Sequence, residues 1–294
     1  RSVVLADLVP SSCSAGGAER IVCALAGALA ASGLQITLIV NSPDGADPFS
    51  PLESGVRLRK VRIGSSLPRI ALRMAFKIFG LDYRRFVLKQ QALEEIRRVL
   101  GETGACVVVT THLSDLVTVT EAVRGLAKPP ALVQMVHDAP ERFLHMVRSD
   151  RLLGRLVGEL SCLQVIFPAY KAQIESAGLF PAVEVAADFV SAPPASFDRI
   201  AHAAPRIVSL SRYDPVKRLP LLVRAFSRAA RRHPDWRLDV YGSDALPGMR
   251  QLLRAQAALL GSASRIGLHR AVPDVWAELA RSEILVCSSR SESF

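Results

Sequence analysis

The 294-residue sequence lacks most of the patterns that assign a protein quickly, and each absence removes a class. No stretch approaches the roughly 20 uncharged apolar residues that span a bilayer, so a membrane-embedded chain is not expected. Cysteine is scarce: five residues, at 13, 23, 106, 162 and 287, with no C-x-x-C spacing. An odd, scattered set argues against a disulfide framework or a zinc site and suits a reducing cytosol. Aromatics make up only 6% of residues, and no ribonucleoprotein or zinc-finger pattern occurs, so nucleic acid is not an expected partner. Neither G-x-G-x-x-G nor the G-K-[ST] of a P-loop is present. Arg1 leads directly into V-V-L-A-D-L with no n-region or cleavage site, so either the start lies upstream or no signal exists.

What remains is ample for folding. Half the residues are hydrophobic, and the length suggests about two domains. The formal net charge of +10 calls for an anionic partner: nucleotide phosphate, an acidic lipid surface or nucleic acid.

Val3 to Leu8 reads as a buried strand, followed by a small-residue loop and the adjacent pair Gly16-Gly17. A helix is expected from about Ala18 to Ala31, with Ile21, Val22, Leu25, Ala28 and Leu29 on one face and Gly33 ending it. Gln35 to Val40 then makes a second strand, giving strand, glycine turn, helix, strand. Two adjacent glycines let backbone N–H groups approach an anion or a sugar, although a tight turn needs the same residues. Val56 to Val61 is a third strand. Cys106 to Thr110 is a fourth, ending at T-T-H with His112, before a helix from Ser114 to Ala127. Ala131 to Val136 follows and ends at His137-Asp138. Both histidines therefore stand at the strand edge where parallel sheets bind ligands.

Ser65 to Leu100 is unusually basic: Arg69, Arg73, Lys77, Arg84, Arg85, Lys89, Arg97 and Arg98 face only Asp82, Glu94 and Glu95. Cations spaced by four amid bulky apolar residues fit an interfacial helix on an anionic membrane surface. They equally fit a helix packed on a sheet with its cationic ridge in water.

The second half is organised around Ser209 to Phe226, S-L-S-R-Y-D-P-V-K-R-L-P-L-L-V-R-A-F. An apolar strand, Ile207 to Leu210, leads into a turn carrying Arg212 and Lys217. Pro220 stands at the head of a helix whose inward face is expected to be Leu221, Leu222, Ala225, Phe226 and Ala229. Two cations at a strand's C-terminal edge, beside a helix start, are what such a sheet offers a phosphate; in a polar loop they are equally compatible with plain solvation. Strands at Trp236–Tyr241, Arg265–Leu268 and Ile284–Cys287 alternate with helices near Met249–Leu260 and Asp274–Ser282, a second parallel α/β unit.

Taken in order, G-G-A-E-R at Gly16 to Arg20, Arg212, Lys217, L-L-V-R-A-F, D-V-Y-G at Asp239 to Gly242 and S-S-R-S-E-S-F at Ser288 to Phe294 resemble the glycosyltransferases of family 4. The resemblance covers nearly the whole chain and is weakest between about Pro140 and Pro205. It implies a GT-B fold: two doubly wound Rossmann-like domains facing a cleft, at 1–188 and 206–294, joined by a linker at 189–205. It also implies a retaining enzyme with a nucleotide-sugar donor and no cofactor or metal, in keeping with the missing Asp-x-Asp motif. Arg212 and Lys217 would bind the donor diphosphate. Glu292 matches the first acid of the E-x7-E motif that contacts sugar hydroxyls, with Ser293, Phe294 and Gly242 nearby. V-H-D makes His137 the strand-end histidine facing the donor sugar, and Gly16-Gly17 the turn against phosphate and acceptor. The second acid would fall beyond Phe294, which implies a truncated, incomplete second domain. Where the family has Val-Ser and Asn-Gly, this sequence has Phe-Pro-Ala at 167–169 and Ala-Asp-Phe at 187–189.

The expected partners are a nucleotide-diphosphate sugar and a glycan or lipid-linked acceptor, in the cytoplasm or peripherally at the inner face of a membrane through residues 65–100. Two other readings stay open. One is a non-hydrolysing nucleotide-sugar epimerase; the other is a non-catalytic protein binding anionic membrane surfaces.

Overall fold

A computed structural model describes residues 1–9, 16–42, 45–63, 90–188 and 205–292. The Pro10–Ala15 loop, the basic segment as far as Lys89, the linker at 189–204, and Ser293 and Phe294 lie outside the described residues. The chain divides into two compact units, one from residues 1–189 and one from 190–292.

The first unit is built on seven parallel strands: β1 (Ser2–Asp7), β2 (Gln35–Asn41), β3 (Val56–Val61), β4 (Val107–Thr110), β5 (Ala131–Val136), β6 (Cys162–Val165) and β7 (Val183–Val185), in the order β3-β2-β1-β4-β5-β6-β7. Helices α1 (Gly17–Ala31), α2 (Gln90–Thr103), α3 (Leu113–Val123), α4 (Pro140–Ser149), α5 (Arg151–Val157) and α6 (Pro168–Glu175) alternate with them. All six residues of β1 are buried, as a central strand covered on both faces requires. Edge strand β3 instead carries Arg57, Arg59 and Lys60, charges that blunt an open edge against pairing with another chain. Lys60 is tied to Asp47 at 2.8 Å and Arg59 to Glu102 at 3.8 Å.

Several expected details shift. The buried stripe of α1 is Glu19, Val22, Cys23, Ala26 and Gly27, with Ala28 exposed. Small residues face inward because another segment presses there: a Cβ on Gly27 would come within 2.6 Å of the Glu53 side chain. His112, not Ser114, precedes the first turn of α3, and that helix ends at Val123. In α2, Leu93, Ile96, Val99 and Leu100 are buried in the core. Arg97 donates to the Glu121 carbonyl at 3.1 Å, and Arg98 to Glu102 at 2.6 Å. This end of the basic segment therefore packs on the sheet rather than presenting an apolar face outward.

The second unit has four parallel strands, β8 (Arg206–Leu210), β9 (Arg237–Tyr241), β10 (Ile266–His269) and β11 (Ile284–Leu285), in the order β10-β9-β8-β11. With them run α7 (Leu219–Ala229), α8 (Met249–Leu259) and α9 (Val275–Ala280). The inward face of α7 is Leu219, Leu222, Val223, Phe226 and Ser227; Leu221, Ala225 and Ala229 lie outside. Ser227 can be buried because its hydroxyl donates to the Val223 carbonyl at 2.7 Å and lies 2.6 Å from the Ser262 hydroxyl. No helix of the described residues is long and apolar enough to cross a membrane.

Candidate functional site

In each sheet the strand order reverses once: between β1 and β4 in the first unit, between β8 and β11 in the second. Chains leaving neighbouring strands there turn to opposite faces, which opens a crevice at the C-terminal edge where parallel sheets bind ligands.

In the second unit, the chain leaving β8 passes Arg212 and forms a 3-10 turn, Pro215–Lys217, before α7 begins. The chain leaving β11 runs back beside that turn. Arg290 N–H donates to the Val216 carbonyl at 2.8 Å, and the Ser288 hydroxyl to the Lys217 carbonyl at 2.7 Å. Lys217 Nζ consequently meets both carboxylate oxygens of Glu292, at 2.7 and 2.8 Å. Partial burial pushes the Glu292 carboxyl up, but hydrogen bonds from Lys217, Ser289 and Cys287 outweigh it and hold its pKa below the ordinary value. Two residues 75 apart in sequence are thus brought together by topology.

Arg212 has an exposed side chain on a firmly held backbone. A Cβ on Gly242 would come within 2.0 Å of the Ser211 carbonyl oxygen and 3.0 Å of Arg212 Cα. Only glycine lets the end of β9 lie this close to the Arg212 turn. Tyr213, fully buried, fastens the turn from beneath, its hydroxyl donating to the Val240 and His269 carbonyls at 2.9 Å each. Asp214 caps the 3-10 turn, accepting from Val216 N–H at 2.8 Å. Arg218, at φ 51°, is the one positive-φ residue other than glycine among the described residues.

The first unit's reversal has opposite electrostatics. Asp7, at the end of β1, is buried with Oδ1 lacking a hydrogen-bond partner among the described residues; His112 Nε2 lies 3.9 Å away. Burial, with Glu19 adding repulsion, raises the Asp7 pKa to about 7. Asp115, on α3, accepts from Leu8 N–H at 3.1 Å. Burial still holds its carboxyl well above the usual range, and Asp7 adds to the rise. Gly16 precedes α1 in extended conformation, and the Glu19 carboxylate folds back to where a Gly16 Cβ would stand, 1.8 Å from Oε2. Gly17 is exposed and meets nothing within 4 Å of a notional Cβ. His137, past β5, lies one strand beyond the reversal. Its Nδ1 is 3.0 Å from Asp188 Oδ2.

Of the expected site residues, Lys217 and Glu292 are in direct contact, and Gly242 packs against Arg212. Gly16, Gly17 and His137 belong to the other unit. Ser293 and Phe294 lie outside the described residues. No motif in the sequence marks Tyr213, Asp214, Asp7, Asp115 or Asp188. Tyr213 alone left a signal, a large aromatic inside a polar turn.

The segment 197–294 matches the family model "Glycosyl transferases group 1", about one third of the chain. No curated protein sequence matches the chain. Among solved structures, sucrose-phosphate synthase from Thermosynechococcus elongatus aligns over 100% of this chain and 77% of its own, with a TM-score of 0.74 at 15% identity. HepE from Anabaena, in complex with UDP and glucose, aligns over 98% and 74%, at 0.67 and 12%. TarM from S. aureus, in complex with fondaparinux, alpha-GlcNAc-glycerol and UDP, aligns over 100% and 82%, at 0.70 and 9%. These likenesses establish the fold: parallel α/β, Rossmann-like, of the GT-B kind.

Proposed function

We propose that the chain is a glycosyltransferase that moves a sugar from a nucleoside-diphosphate donor to a glycan or lipid-linked acceptor, with retention and without a metal. The observation that carries this reading is the joining of Lys217 and Glu292 across the strand-order reversal, beside the Arg212 turn, within the segment that matches the glycosyltransferase model.

Breaking the bond between the anomeric carbon and the diphosphate leaves negative charge on the departing oxygen. Fixed positive charge beside that oxygen lowers the barrier. Arg212 supplies a planar fork for two phosphate oxygens, and Lys217 a compact point charge. Glu292 neutralises Lys217 through their ion pair. A donor diphosphate replaces the carboxylate at Nζ, and the freed Glu292 turns to the sugar hydroxyls. His137 and the Gly16-Gly17 turn, both on the first unit, are the residues that the resemblance assigns to sugar and acceptor. The free cysteines at 23, 106, 162 and 287 suit a cytoplasmic setting.

UDP and UDP-glucose, named in complexes of HepE, are the probes for calorimetric titration and for release of sugar or its transfer to water. Lys217→Ala is expected to cut turnover at least about tenfold, a desolvated cationic contact being worth about 2–4 kcal/mol in a transition state. Unchanged turnover in a folded variant would remove Lys217 from the reaction and the proposal with it.

A further inference from the structure

His137 and Asp188 are 51 residues apart, yet they form a built pair. His137 follows β5; Asp188 lies three residues past the end of β7, on the far side of β6. The segment that carries Asp188 is fastened to β6: Ala186 N–H donates to the Val165 carbonyl at 2.9 Å, and the Gln164 side chain donates to the Ala186 carbonyl. The carboxylate is thereby brought within 3.0 Å of Nδ1, and both side chains are largely sequestered, 16% exposed for His137 and 8% for Asp188. The opposite ring nitrogen, Nε2, is buried and has no hydrogen-bond partner among the described residues.

A carboxylate accepts hydrogen bonds, so it selects the ring form that carries hydrogen on Nδ1. The neutral ring then has a lone pair on Nε2. We propose that Asp188 is a positioning residue that fixes His137 in this tautomer and so presents Nε2 as an acceptor for a hydroxyl of the bound sugar. The choice of a hydroxyl rests on the glycosyltransferase reading; the tautomer does not. Asp188 stands in the Ala-Asp-Phe segment where the resembling family carries Asn-Gly, so it is a feature of this chain's own residues.

The test is nitrogen-15 NMR of the histidine rings near about pH 8, with His137 assigned through His137→Gln. The expected wild-type signature is a pyrrole-type Nδ1 and a pyridine-type Nε2, with Asp188→Ala shifting the ring toward the Nε2–H form that free histidine prefers. UDP-glucose should move the wild-type Nε2 signal, and UDP alone should move it much less. A wild-type ring with hydrogen on Nε2, neutral or doubly protonated, overturns the positioning role whatever the protein binds. So does an Asp188→Ala ring that keeps the wild-type tautomer. The expected tautomer with no response to UDP-glucose overturns the sugar-hydroxyl assignment and counts against the donor reading. The wild-type spectrum stands as a test even if Asp188→Ala does not fold.

Discussion

The two units share one topological device and equip it with opposite charge. At the β8/β11 reversal the chain gathers Arg212, Lys217 and Arg218, with Glu292 paired to Lys217 and Asp214 capping the turn. At the β1/β4 reversal it gathers Asp7 and Asp115, both buried, with carboxyls shifted upward. Fold alone does not determine what a sheet edge binds; the side chains at the reversal do. A cationic turn attracts phosphate. A desolvated carboxylate instead holds a proton near neutrality.

The contrast is sharpest at Asp7. Its carboxyl binds hydrogen ion more tightly in the folded chain, near pH 7, than at the ordinary value of 3.8. Between those values the folded state carries the extra proton, so stability falls as pH rises from about 4 to about 7 and is level above. Asp7→Asn removes that cost. The variant should match the wild type near about pH 4 and exceed it by about 2–4 kcal/mol near about pH 8. Glu19, Asp115 and His112 are the charged neighbours whose coupling shapes the curve. Urea unfolding across this range provides the difference profile. A constant difference would show that Asp7 ionises as an ordinary carboxylate and would dissolve the contrast. Lys217→Ala is expected to make the opposite trade, losing the proposed diphosphate recognition while the fold is kept.

Glycines at the two reversals extend the comparison. The space beside Gly242 is filled by the Ser211 backbone, and the space beside Gly16 by the Glu19 carboxylate. Backbone cannot withdraw without breaking the ladder between β8 and β9, whereas a carboxylate can swing away. Gly242→Ala is therefore expected to destabilise the second unit by about 1–3 kcal/mol. Gly16→Ala should cost less, and Gly17→Ala should be close to neutral. Thermal melting of the three variants checks the order; equal effects would show that the Arg212 turn is not held by close approach.

Much of this was legible in the residues. Alternating apolar strands and periodic helices fixed the class, because a covered parallel sheet demands continuous apolar runs such as V-V-L-A-D-L and I-T-L-I-V. Lys217, Glu292 and Gly242 were legible because their chemistry is local and their order along the chain matches a motif. The buried faces of α1 and α7 depart from the periodic expectation because the hydrophobic pattern there is broad. The deciding contacts, Glu53 against Gly27 and Ser262 against Ser227, come from distant segments. Asp7, Asp115 and Asp188 were illegible for the same reason. A carboxylate's meaning depends on what is packed around it, and only strand order brings Asp188 to His137.

The smallest effect concerns how the helices at the two reversals begin. Gly16 leads into α1 with φ of −130°, a conformation open to any residue, whereas Arg218 leads into α7 with φ of 51° and ψ of 35°. A left-handed backbone costs a residue with a Cβ about 1 kcal/mol that glycine does not incur. Part of that gain is offset by the greater freedom of glycine in the unfolded chain. Arg218→Gly should therefore raise the melting temperature of the second unit by no more than a few degrees. Arg218 adds a third positive charge to the turn, so under the donor reading the same variant should bind UDP more weakly even as it melts higher. A variant that gains stability without losing UDP affinity would assign Arg218 to the turn alone and leave Arg212 and Lys217 as the cationic pair.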